Sequence, residues 1–169
     1  NGTAAIVEFP GVLYRGGAEQ KIRQYLVDNN YVDAVIQLPP DLFFGTGIAT
    51  CIIVLKKSKR DNATLFIDAS AEFVRSGNKN KLLPEHRRKI LDAYTQRQSI
   101  EHFVRLVENS DIAVNGYNIA VSSYVEQANT SEAVDIRALN ARISRIVARQ
   151  AELREQIDAI VADLEGDDA

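Results

Sequence analysis

Residues 32–57 read VDAVIQLPPDLFFGTGIATCIIVLKK, and the way this stretch is read decides the fold. Val32 to Leu38 is an unbroken apolar run of strand length that stops at Pro39-Pro40, which predicts a strand buried on both faces. Ala49 to Leu55 predicts a second buried strand, closing on Lys56 and Lys57. Between the two lies Phe43-Phe44-Gly45-Thr46-Gly47. Adjacent phenylalanines in a loop forgo burial unless they tuck under the loop or meet a flat apolar ligand. Phe43 and Phe44 are therefore either a small local core or a binding element, and the residues alone leave both readings open.

Toward the N-terminus, Ala4 to Phe9 reads as a strand broken by Pro10-Gly11. Ala18 to Val27 follows as an amphipathic helix with Ala18, Ile22, Tyr25 and Leu26 on its expected buried face and Asn29-Asn30 as its stop. Strand, helix and strand make a βαβ-type unit, so the two strands are expected to run parallel with a right-handed crossover. Gly16-Gly17 precede the helix without the fuller pattern of a phosphate-binding turn.

Toward the C-terminus, Lys56, Lys57, Lys59 and Arg60 form a basic run, either a solvated turn or a contact for phosphates. A turn at Asp61-Asn62 and a strand from Thr64 to Asp68 suggest a hairpin with the strand before it. Ser76 to Lys81 reads as a polar loop. Pro84 suits the first position of a helix ending near Arg97, with Ile90, Leu91 and Tyr94 on its buried face. Residues 103–125 read as a turn-rich segment of short strands and a helical turn.

The strongest periodicity comes last. Ile136, Leu139, Ile143, Ile146, Leu153, Ile157, Ile160 and Leu164 alternate spacings of three and four, with Gln150 in the one polar place. Val147 and Val161 widen this seam beyond a strict two-helix stripe. Such a helix is expected to pack against another chain or another element.

The chain has 169 residues, 46% of them hydrophobic and 25% charged, with a net charge of −3. That suits one ordinary domain with an appendage, and no apolar run reaches the roughly 20 residues of a membrane span. The acidic balance gives no global attraction to nucleic acid, so any such contact is expected to be local. The lone cysteine, Cys51, has no intrachain partner and reads as a small buried hydrophobe in a reducing compartment. His86 and His102 have no metal-ligand spacing, and no metal site is expected. A chain that begins at Asn1 directly before a strand reads as a piece of something longer.

With these pieces in place, GVLYRGGAEQKIRQYLVDNNYVDAVIQLPPDLFFGTGIATCIIVLKK resembles the distal part of the catalytic domain in modification subunits of type I restriction-modification systems. FIDAS, the Leu82-Leu83-Pro84-Glu85-His86 stretch, NGYNIAVSSYV and the terminal heptads follow in that family's order. The resemblance implies an α/β fold: the distal part of a Rossmann-like S-adenosylmethionine-dependent methyltransferase sheet, then a coiled-coil-like C-terminal helix. It implies a catalytic part over residues 1–126, a linker over 127–135 and an assembly helix over 136–165. The implied activity is methylation of adenine N6 in DNA, in a cytoplasmic complex with specificity and restriction subunits.

The family's glycine-containing cofactor loop and its Asn-Pro-Pro-aromatic motif are not in this sequence. Leu38-Pro39-Pro40-Asp41 has the prolines without the Asn or the aromatic, so the chain alone is expected to be inactive and to bind S-adenosylmethionine negligibly. The resemblance assigns stacking on the flipped adenine to Phe43, with Phe44 as the alternative. It leaves Lys56, Lys57, Lys59 and Arg60 as weak candidates for the DNA backbone, and gives the seam from Ile136 to Leu164, Gln150 included, to the specificity subunit. Competing readings are a non-enzymatic α/β interaction module with an oligomerising helix, and a methyltransferase acting on RNA or protein.

Overall fold

The computed structural model describes residues 2–127 and 136–166, with side chains described up to Val161 in the last helix. The chain divides into two units, residues 1–128 and 129–169. In the first unit, seven strands and three helices follow in the order β1 (Thr3–Glu8), α1 (Ala18–Asp28), β2 (Val32–Gln37), β3 (Cys51–Lys56), β4 (Ala63–Asp68), β5 (Val74–Ser76), β6 (Lys79–Lys81), α2 (Pro84–Gln96), β7 (Val104–Glu108) and α3 (Asn109–Val114). Short 3-10 turns occupy Pro10–Leu13 and Val121–Ser123. In the second unit α4 (Ile136–Gly166) is one helix of 31 residues.

Five strands form one mixed sheet in the order β1-β3-β2-β4-β7. β3 runs antiparallel between β1 and β2, β4 lies parallel to β2, and β7 closes the far edge antiparallel to β4. The expected βαβ unit is therefore opened: β1 and β2 share a direction, but β3 is inserted between them. The expected hairpin across Asp61-Asn62 does not form, because β2 lies between β3 and β4. The apolar runs explain this arrangement. β2 and β4 are buried along their length, as strands with a helical layer on each face must be.

Two cores follow from the alternation of side chains across the sheet. Val35, Phe66, Cys51 and Val107 face one side, where Val27 of α1, Ile112 of α3 and the segment Ile119 to Val125 cover them. Ala34, Ile36, Val54, Leu65 and Ile67 face the other side under Ala93 of α2 and Phe103. The pairing of β2 with β3 shifts register between Val32 and Ala34, a bulge at Asp33. The bulge explains how Val32 and Val35, three residues apart, join the same core.

The bulged Asp33 is only 2% exposed. It accepts hydrogen bonds from the Tyr94 hydroxyl at 2.5 Å and from Arg97 at 3.0 Å, so a buried carboxylate is matched by two donors. Arg97 ends α2 in the left-handed conformation, with φ of 51°, and also donates to the Ala63 carbonyl. Burial and the hydrogen bond to Asp33 push the Tyr94 hydroxyl up to about 12.

Two helical faces match expectation in part: Leu26 of α1 and Ile90 and Tyr94 of α2 pack against the cores, and the other expected residues do not. On α1 the buried residues are Arg23 and Val27, while Ile22 and Tyr25 are each 59% exposed. Arg23 donates to the carbonyls of Val12, Arg15 and Tyr117, and this fork of bonds, not the apolar stripe, sets the helix's rotation. On α2, Ala93 is buried and Leu91 is exposed, because the face is fixed by Tyr94 reaching Asp33. The stretch expected as a polar loop forms the β5–β6 hairpin, with Ser76 opposite Lys79 and Gly77 at φ of 64° in the turn.

Candidate functional site

The loop between β2 and β3 emerges where the parallel strands end. Register places Glu8, Cys51, Gln37 and Asp68 in one row across β1, β3, β2 and β4, so the carboxyl ends of β1, β2 and β4 share one border of the sheet. In open α/β sheets ligands settle outside that border. Phe43 and Phe44 stand there, Phe43 at 42% exposure and Phe44 entirely in solvent.

A neighbouring element holds this loop by its backbone. The buried Asn80 of β6 donates its side-chain amide to the Pro40 carbonyl at 2.8 Å and its backbone N–H to the Asp41 carbonyl at 3.0 Å. Arg75 of β5 donates to Asp41 Oδ2 at 3.0 Å and to Asn80 Oδ1 at 3.1 Å. The same guanidinium donates to the carbonyls of Gly77 and Asn78, so it ties the hairpin's own turn together. Lys79 donates to the carbonyls of Phe43 and Thr46, both at 3.0 Å. Within the loop, Gly45 takes φ of 79°, and the Ile48 N–H donates to Thr46 Oγ1.

The sheet border beneath the loop is mostly satisfied. Gln37 donates to the Thr50 and Leu38 carbonyls, and Asp68 accepts from the Ser70 N–H and the Gln127 side chain. The Thr50 hydroxyl is buried without a partner. Burial pushes the Cys51 thiol up to about 11, so it is protonated and inert at neutral pH.

The basic run lies elsewhere. Lys56 pairs with Thr3 at the far end of β3 from the loop, about 17 Å away at the usual rise of a strand. Lys59 donates to the Val32 carbonyl at 2.7 Å, and burial lowers its ammonium from the ordinary value. Lys57 and Arg60 are exposed at that same end. The structure thus brings Phe43 and Phe44 together, but not with Lys56, Lys57, Lys59 and Arg60. The cations beside the aromatic loop are Arg75 and Lys79, which the sequence reading placed in or beside a polar loop. The Gly77-Asn78 pair between two short runs was the available hairpin signal.

On α4 the seam residues Ile136, Leu139, Ile143, Ile146, Leu153, Ile157 and Ile160 are all exposed, as are Val147 and Val161. Gln150 is exposed among them. Leu164 lies outside the described side chains. Among the described residues no group of histidine, cysteine or carboxylate side chains could hold a metal ion. No described helix is long and apolar enough to cross a membrane.

A sheet border crowned by an exposed aromatic loop fits many ligands, and comparison with known proteins gives the family. The profile described as N-6 DNA Methylase matches residues 1–133. The chain belongs to this family. It is 47% identical, over 98% of its length, to the type I restriction enzyme MpnII methylase subunit of Mycoplasma pneumoniae, of which it covers 31%. It is 34% identical to the MjaVII methylase subunit of Methanocaldococcus jannaschii over 95% of its length, covering 28% of that protein. The chain thus spans under a third of these curated relatives. Among solved structures, the type I methyltransferase subunit from Streptococcus thermophilus superposes with a TM-score of 0.73 at 43% identity, over 75% of this chain and 27% of that one. The EcoKI M protein shares the fold, with a TM-score of 0.60 at 15% identity over 91% of this chain and 41% of its own.

Proposed function

We propose that this N-6 DNA methylase chain is the distal part of a type I modification subunit that transfers a methyl group from S-adenosylmethionine to adenine N6 in DNA. The observation that carries the reading is the aromatic pair standing at the carboxyl border of the sheet. A base turned out of the duplex loses its stacking and recovers it on an aromatic face. Phe44, with its whole side chain in solvent, is the better placed of the two, and Phe43 closes the base's inner side.

The described residues do not by themselves fit the cofactor. Gly16 and Gly17, the glycines ahead of α1, lack the fuller phosphate-binding pattern, and no other described element of the chain closes over them within 4 Å of a Cβ. No step through S-adenosylmethionine is therefore assigned to this chain, and the cofactor loop and the Asn-Pro-Pro motif belong, in this proposal, to the rest of the subunit. This chain's part is to receive and orient the base. The exposed seam of α4 supports a second element of the same reading, docking on the specificity subunit of a Rossmann-like enzyme's complex.

The test is Phe44→Ala and Phe43→Ala in the complete subunit assembled with its specificity subunit. Base stacking of about 1–3 kcal/mol predicts loss of methyl transfer by roughly tenfold or more, with cofactor affinity unchanged. Equal loss of methyl transfer and of cofactor binding would assign these residues to packing instead. For α4, ending the subunit after Thr130 should abolish co-elution with the specificity subunit, and retained co-elution would remove that role.

A further inference from the structure

We infer that the β5–β6 hairpin is the positioning element of the aromatic loop, and that Lys79 is the residue that fixes the loop's shape for an incoming base. This rests on the proposed role of Phe43 and Phe44. The hairpin is an odd structure to find on its own merits. Each of its strands has three residues, its sequence is almost wholly polar, and it belongs to neither core. A two-stranded ribbon of this kind has little independent stability in water. Its buried polar group, Asn80, is spent on the Pro40 and Asp41 carbonyls, and its Arg75 is spent on Asp41.

Lys79 makes the connection closest to the aromatic rings. Its ammonium spans the bend, bonding the carbonyl of Phe43 on one limb and that of Thr46 on the other. Gly45, between them, is in the left-handed conformation and gives the bend no side chain of its own to pack. Phe44 gains nothing from burial, so its direction is set by the backbone around it. An ammonium with three donors is suited to closing such a bend, because two carbonyls converge on it without a planar fork. An aromatic platform held in place before the base arrives forgoes the ordering cost that a free loop would impose on binding.

Lys79 is a positioning residue in this scheme, since it reaches the base only through the Phe43–Thr46 backbone. The experiment uses the complete subunit with its specificity subunit and a duplex carrying 2-aminopurine at the target adenine. Lys79→Met should speed chymotryptic cleavage at Phe43 and Phe44 by tenfold or more. It should lower the fluorescence gain on base flipping and cut kcat for methyl transfer about tenfold, while leaving cofactor affinity unchanged. Lys79→Arg keeps the charge but brings a planar fork, and should restore only part of all three.

If Lys79→Met leaves cleavage at Phe43 and Phe44 at the wild-type rate, the inference is overturned. Weaker DNA binding with a salt dependence shallower by about one ion, loop cleavage being unaltered, would identify Lys79 as a phosphate contact instead. Phe44→Ala separates this outcome from failure of the stacking role. If Phe44→Ala and Phe43→Ala are silent in methyl transfer, the base-stacking reading fails. If Phe44→Ala is damaging and Lys79→Met is silent, only the positioning role falls.

Discussion

In β2 every side chain from Val32 to Ile36 is buried, and a few residues later Phe44 stands wholly in solvent. The two regions share a chain segment and differ in what holds them. β2 is fixed by apolar packing on both faces, and its one buried charge, Asp33, is matched by Tyr94 and Arg97. The loop is fixed by polar bonds from Arg75, Lys79 and Asn80 to its backbone; Leu42 packs against the core, and the Phe44 side chain is left unspent. The difference teaches that hydrophobic residues carry stability in one region and availability in the other.

The sharpest way to break that contrast is Phe66→Ala. Phe66 is fully buried in β4 and stacks on Tyr124 with ring centroids 4.3 Å apart. Its truncation should cost about 3–5 kcal/mol in chemical denaturation, against less than about 0.5 kcal/mol for Phe44→Ala. Similar costs for the two would mean that the loop aromatic is packed after all. Next in size is Asp33→Ala, which removes the acceptor of the Tyr94 hydroxyl but leaves Arg97 the Ala63 carbonyl and Asp61, and should cost about 2 kcal/mol. A loss below about 1 kcal/mol would show that the bulge is held by packing alone.

The smallest effect is a pH dependence. Cys51 at about 11 and Tyr94 at about 12 both sit above their ordinary values of 9.0 and 10.0. The folded state therefore keeps protons that the unfolded chain releases. The stability tied to them is complete below pH 9 and is lost as pH rises through 9 to 12. Urea midpoints should fall over that window, and Cys51→Ser should flatten its lower half. A midpoint constant up to pH 11 would contradict the burial of both groups.

How much of this was legible beforehand follows the same division. The apolar runs from Val32 and Ala49, the helix opened by Pro84 and the heptads from Ile136 announced their elements, because each pattern is local. The insertion of β3 between β1 and β2 was not legible. Nothing local distinguishes a strand paired with its predecessor from one that slips in beside another. The rotation of α1 was misread because Arg23, a polar residue, makes the buried contacts. The loop's aromatics were visible as candidates, but the hairpin that holds them was not, since its contacts are side chain to backbone and leave no apolar trace.

The two borders of the sheet are guarded unequally. β7, VRLVE, presents Arg105 and Glu108 to solvent, and charge on an outer strand discourages a second chain from adding to it. Among the described strands β1, TAAIVE, pairs with β3 alone, is exposed from Thr3 to Val7, and carries its one charge at the very end. A short, uncharged, β-prone edge is a template for intermolecular pairing. Heated or concentrated as an isolated polypeptide, this chain should begin to aggregate at β1, and a lysine in place of Ala5 would be the gatekeeper that delays it.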